Sequence, residues 1–275
     1  MTEAIADPLF REAVGALDTG DVAELERLLA AHPRLVRDRL EYGEGYFRNP
    51  YLLWFIAENP VRNGKLPANI AEVTHTILRA AKSGASAETY QEQIDYALAL
   101  VCSGRVPRES GFQRELLDLL ADAGARPDGA LLTALAHREI AAAERLLERG
   151  AALTLPAAVC TRRRADIERL GRTASAEDRQ MALAAAALYG EAGALGDLIA
   201  LGVDLNAYSP IGFHPHATAL HHAVDSGSLD AVRALVESGA DLDAKDRLHE
   251  GTALDWADHL HRTEIASYLR GRSAL

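Results

Sequence analysis

Cysteine is scarce in this chain: Cys102 and Cys160 are the only two among 275 residues. So few thiols exclude a disulfide framework and make a reducing compartment the default. No run of about 18 apolar residues occurs, so no membrane-spanning helix is expected. The opening MTEAIADPLF is acidic and has no basic-then-apolar leader, so the expected location is cytoplasmic. Basic side chains are in deficit, 29 against 40 acidic ones, for a net charge of −11. A nucleic-acid partner would call for a basic face, and none is expected. The single compact basic run, Arg162–Arg164, reads as a solvated turn, with anion docking as the alternative. Strand-period alternation is nowhere sustained. GxxxxGK[ST], a complete GxGxxG, GxSxG and HExxH are all missing, which removes the common nucleotide, hydrolase and zinc-protease signatures.

What the chain does have is a repeated phrase. Residues 218–246 read TALHHAVDSGSLDAVRALVESGADLDAKD, and the phrase restarts at Thr252 as TALDWADHLHRTEIASYL. Its second half stands upstream in ALYGEAGALGDLIALGVDLNAYS at 187–209. A fixed period near 33 residues signals stacked helical hairpins. In DAVRALVES, Ala231, Val232, Leu235 and Val236 fall on one helical face, and Asp230, Arg233 and Glu237 on the other. One hairpin cannot bury such a stripe alone, so it must stack on neighbours. Alanines in MALAAAALYG allow first helices to sit close, and Gly227 and Gly239 fall where helices end with positive φ.

The phrase at 218–244 closely resembles an ankyrin repeat. Thr218, Leu220, His221, Ala223, Gly227, Leu235, Gly239, Ala240 and Asp241 match the family pattern, and Ala219 replaces its usual proline. ELLDLLADAGARPD, AERLLERGAAL and GALDTGDVAELERLLAAHP resemble further repeat portions. The resemblance implies an all-α solenoid of about eight stacked hairpins with short β-hairpin-like loops. The units run 8–39, 46–84, 87–128, 129–155, 156–174, 177–207, 208–245 and 246–275. They would form a single domain over 1–275, with an atypical aromatic-rich unit at about 41–86 and a capping repeat at 246–275. The resemblance also gives His221 and the Asp241, Asp243 and Asp246 pattern structural roles in closing the loops.

Two loops depart from the repeat. Residues 41–69 hold six of the fifteen aromatics, with Tyr42, Tyr46, Phe47 and Arg48 in a Gly-rich stretch before an expected helix over PYLLWFIAEN. A second enlarged loop carries Tyr208, Phe213, His214 and His216. Tyrosine, tryptophan and arginine commonly anchor interfaces. The two loops are expected to flank one groove.

Repeat register adds a polar row. By the resemblance, the two residues before each turn glycine end the first helix on the concave side. This selects Leu188 and Tyr189, Asp225 and Ser226, and Cys102 and Ser103 before Gly104. His137 and His259 take the same place where the glycine is replaced by Arg138 and His261. Cys102, His137 and Asp225 lie in units too far apart for a nucleophile, base and orienter. An acid–base site using Glu41, Glu44, Tyr46 or Asp225 stays open. His214 and His216 are the candidate ligands of any metal site, though none is expected.

The reading that follows is a non-catalytic scaffold with no cofactor and no membrane or nucleic-acid partner. It would bind a protein or peptide through Tyr42, Tyr46, Phe47, Arg48, Tyr189, Tyr208, Phe213, His214, His216, Asp225 and His259. The alternative is a small-molecule binder or unusual enzyme with a pocket between the 41–49 and 208–217 loops.

Overall fold

A computed structural model describes residues 5–273. The fold is all-α, and the described residues contain no strand. They divide into two compact units, one through Ala151 and the other from Ala152.

The first unit contains α1 (Pro8–Thr19), α2 (Val22–Ala31), α3 (Ile70–Gly84), α4 (Ala87–Ser103), α5 (Arg105–Glu109), α6 (Gln113–Asp122), α7 (Pro127–Ala136) and α8 (Ile140–Glu148). Short 3-10 turns cover Pro33–Val36, Gly45–Phe47 and Leu52–Ala57. The second unit contains α9 (Leu155–Cys160), α10 (Arg164–Gly171), α11 (Ala176–Leu188), α12 (Ala192–Ile199), α13 (Ala219–Ser226), α14 (Leu229–Glu237), α15 (Ala253–His259) and α16 (Thr263–Ser273). Each unit stacks helical hairpins, with first helices packed on first helices: α4 on α7, α9 on α11, α11 on α13, and α13 on α15.

Local chemistry starts these helices where they start. Asp7, Asp21, Ser86, Thr154, Ser175 and Ser228 each accept hydrogen bonds from first-turn N–H groups. Thr252 and Asp255 form a reciprocal capping box at α15. The stripe expected in α14 is real: Ala231, Val232 and Leu235 are fully buried, and Arg233 and Glu237 are exposed. Every residue from Met181 to Leu188 is buried, because α11 has first helices on both sides and its alanines permit close approach.

The turn register also holds where glycine is replaced. Arg138, Arg162 and His261 all take left-handed φ, at 59°, 57° and 56°. The backbone therefore keeps the turn without the residue that tolerates it best.

Two expectations need correction. The helix expected over PYLLWFIAEN is only the 3-10 turn Leu52–Ala57, which ends at left-handed Glu58 with Pro60 two residues on. Gly104 is not a turn glycine, since its φ is −82° and α5 follows at once. Pro107 lacks the N–H that would continue α4 to the Ser103 carbonyl, so the helix breaks there and resumes. The left-handed turn falls later, at Gly111.

Candidate functional site

In the first unit, residues 41–64 form an ordered loop built around a buried carboxylate. Glu58 is 2% exposed and accepts hydrogen bonds from the N–H groups of Arg62, Asn63 and Gly64. The Arg62 guanidinium bridges Glu58 at 2.9 Å and Asp18 at 2.8 Å, over the face of Phe55. With its polar groups satisfied internally, the loop can bury aromatics.

Phe47 is accordingly a core residue, not a contact residue. It is 3% exposed and meets Phe55 edge-on at 5.3 Å. Tyr42 is half-buried, 5.9 Å from Phe55. Tyr46 is the exposed aromatic at 58%, and its hydroxyl donates to Asn59 Oδ1 at 2.9 Å. Arg48, Glu41 and Glu44 are exposed. Tyr42 and Arg48 border a cleft of about 930 Å³ with Arg34, which pairs with Asp7 at 2.9 Å.

Cys102 leaves the polar row, and Ser103 is half-buried with its hydroxyl donating to the Ala99 carbonyl at 2.9 Å. Cys102 is fully buried, and burial, with the Glu139 carboxylate nearby, pushes its thiol well above the usual range. A protonated, inaccessible thiol is no nucleophile. His137 is exposed, with Nδ1 2.9 Å from the Thr133 carbonyl.

In the second unit, two finger loops are each closed by one antiparallel bridge, Tyr208 with Thr218 and Lys245 with Thr252. They are joined by Arg247 N–H donating to the His216 carbonyl at 2.8 Å and by Tyr208 Oη–H donating to the Lys245 carbonyl at 2.7 Å. The Arg247 guanidinium lies 3.7 Å over the half-buried Tyr208 ring. Phe213 is fully buried, so it supports the first finger and presents no contact surface. His214 is half-buried, its ring 6.0 Å from His216 and 5.8 Å from His222. His222 Nε2 lies 2.9 Å from Ser209 Oγ, but both residues are buried, so the pair ties finger to helix and presents no nucleophile. His221 spans Thr218 Oγ1 at 2.8 Å and the Gly251 carbonyl at 3.0 Å, the loop-closing role its register implies.

Asp246 is the anchor of the second finger. Its buried carboxylate accepts from the N–H groups of Leu248, His249 and Gly251 and from Trp256 Nε1 at 3.0 Å. Burial opposes its charge, but these four donors together hold its pKa far below the ordinary carboxylate range.

Above this anchor lies a cleft of about 590 Å³. His216 enters it from the first finger, His249 and Glu250 from the second, Asp225 from the end of α13, and Asp255, Trp256 and His259 from α15. Three expected residues, His216, Asp225 and His259, are thus brought together. Asp225 and His259 share one repeat register, seven residues after Thr218 and Thr252, so stacking places them side by side. Tyr189 does not line the cleft; it is half-buried and hydrogen-bonds the Cys160 thiol, which burial nevertheless pushes up to about 12. Trp256, Glu250 and Asp255 were not anticipated. Register would have found Trp256, which takes the place of His222 in the next repeat.

Two apolar side chains stand out at the finger tips, Ile211 at 90% exposed and Leu248 at 64%. Among the described residues no group of three or more His, Cys, Asp or Glu could hold a metal ion. None of the described helices is long and apolar enough to cross a membrane. Arg162 and Arg163 are exposed at the α9–α10 turn, and Arg162 pairs with Glu191 at 2.6 Å.

Paired antiparallel helices, left-handed turns and bridged fingers define a helical-repeat protein. The family model for ankyrin repeats, with three copies, matches residues 75–246 and 183–274. The chain belongs to the ankyrin-repeat family. A stretch of 60 residues, 22% of this chain, is 42% identical to ankyrin repeat and SOCS box protein 6 of Mus musculus. The match spans 14% of that relative's length. Ankyrin repeats generally serve as protein–protein interaction scaffolds.

Proposed function

We propose that this chain is a non-catalytic scaffold that binds a protein or peptide, and that in the second unit it does so through the two finger loops and the inner-helix ends beside them. The observation that carries this reading is the exposure of Ile211 and Leu248 on consecutive, mutually hydrogen-bonded fingers. Large apolar side chains held outward on adjoining rigid fingers gain free energy when a partner covers them. The anchored carboxylate of Asp246 supports the reading, since a finger fixed in advance loses little freedom on binding.

Ile211→Asp with Leu248→Asp is the informative variant, because both side chains are exposed and the fold does not depend on them. Affinity capture from the source lysate is expected to enrich a protein on the wild type and to lose it on the variant, at an unchanged melting temperature. Equal capture by both proteins would remove the fingers from the interface.

A further inference from the structure

We infer that the partner segment carries a lysine or arginine that enters the Trp256-walled cleft while its apolar neighbours cover Ile211 and Leu248. The inference rests on the protein-binding reading above and names the chemistry of the partner.

Three features converge on it. The first is shape: a cleft of about 590 Å³ has room for one long side chain and its flanking backbone. The second is an aromatic wall set in advance. Trp256 is fixed through Nε1 to Asp246 at 3.0 Å, and the His221 ring sits edge-on to it at 5.2 Å. The His216 ring lies 6.2 Å from the half-buried indole at a 30° tilt, so the cation would meet the part of this preset aromatic wall that His216 leaves to the cleft. The third is charge. Asp225, Glu250 and Asp255 line the cleft together with His216, His249 and His259; no lysine or arginine lines it, and Lys245 acts on Asp255 from outside. Asp255 is locked by hydrogen bonds from Thr252 N–H at 2.8 Å and Oγ–H at 2.7 Å, so one carboxylate keeps its position and its charge.

Other occupants fit worse. An acidic segment would meet three carboxylates of like sign. A wholly apolar one would strip water from those carboxylates and return no hydrogen bond. A guanidinium or ammonium compensates the carboxylates, and its methylene stem lies along Trp256 and Leu260. The exposed Leu248 immediately beside His249 and Glu250 sets an apolar contact next to the basic one.

The test is selection of a phage-displayed random 12-residue peptide library on the full chain. Enriched peptides are expected to share one lysine or arginine beside an apolar residue. A synthetic peptide of that sequence, measured by fluorescence anisotropy, is expected to bind Glu250→Gln and Asp225→Asn on the order of tenfold more weakly than wild type. Replacing its basic residue by citrulline or norleucine should cause a similar loss. Both protein variants keep the size and polarity of the side chain, and an unchanged melting curve confirms their fold. Enriched peptides without a basic residue, or affinity indifferent to both variants, would overturn the inference and leave the scaffold reading standing. No enrichment of any peptide, together with equal capture by the Ile211→Asp/Leu248→Asp protein, would overturn both.

Discussion

Asp246 shows how one side chain can set the conformation of a loop. A carboxylate that takes four N–H donors inside a finger replaces the water the loop would otherwise need. Asp246→Ala is expected to cost roughly 1.5–3 kcal/mol, the range for hydrogen bonds to a charged group, read as a lower melting temperature. Its pKa lies below its unfolded value, so its contribution is complete above about pH 3.8 and is lost as pH falls below that. His221 titrates earlier. Burial lowers its pKa below 6.5, so the fold holds the neutral ring and loses stability as pH falls below that value. The melting temperature should therefore decline in two stages on acidification, the first below pH 6.5 and the second below pH 4. Asp246→Ala should retain the first stage and weaken the second.

At the scale of the element, the turn between paired helices is fixed by position more than by residue type. Gly190 has φ 67°, and a Cβ there would lie 2.8 Å from Ser228 Cβ. Gly190→Ala is expected to destabilise by about 1–3 kcal/mol, combining left-handed strain with a close contact. His261 holds the corresponding place two repeats on, at φ 56°, and its side chain is exposed. His261→Gly should be neutral or stabilising by up to about 1 kcal/mol, because strain is relieved while the unfolded chain gains freedom. Chemical denaturation of the two variants side by side checks the pair. Equal effects of like sign would mean that the two turns are not equivalent. The sequence showed these positions through the spacing of the repeat, even where glycine was absent. It did not show the break at Gly104, because a proline three residues further on redefines which carbonyls have donors.

At the scale of the molecule, stability is distributed over nearest-neighbour interfaces between hairpins. Leu235 is fully buried within the cluster that joins α9–α16. Leu235→Ala is expected to cost about 2–5 kcal/mol. Hydrogen exchange should place the largest loss of protection in α14 and in the helices packed against it, α12, α13 and α16. Protection lost evenly over residues 5–273 would instead mark a single cooperative unit. The net charge of −11 and the three carboxylates of the cleft act in the same direction, so the proposed binding of a basic segment is expected to weaken as salt is raised.

The sequence by itself determined the period, the helical pairing and the buried stripe. These depend on local spacing, and a 3.6-residue rhythm reads the same in any context. It also placed Asp225 and His259 in one register, which is how the cleft was partly legible. Tertiary structure alone decided which loop aromatics face outward. Tyr46 and Phe47 are adjacent, yet one is 58% exposed and the other 3%. Nothing in the composition of a Gly-rich loop separates them. The difference comes from Glu58 and Arg62, which satisfy the loop's polar groups internally and let a ring turn inward. Phe213 is buried in the second unit, where Ser209 and His222 tie the same finger to its helix. Trp256, Glu250 and Asp255 meet His216 because stacking sets neighbouring repeats side by side, and that convergence has no signature along the chain.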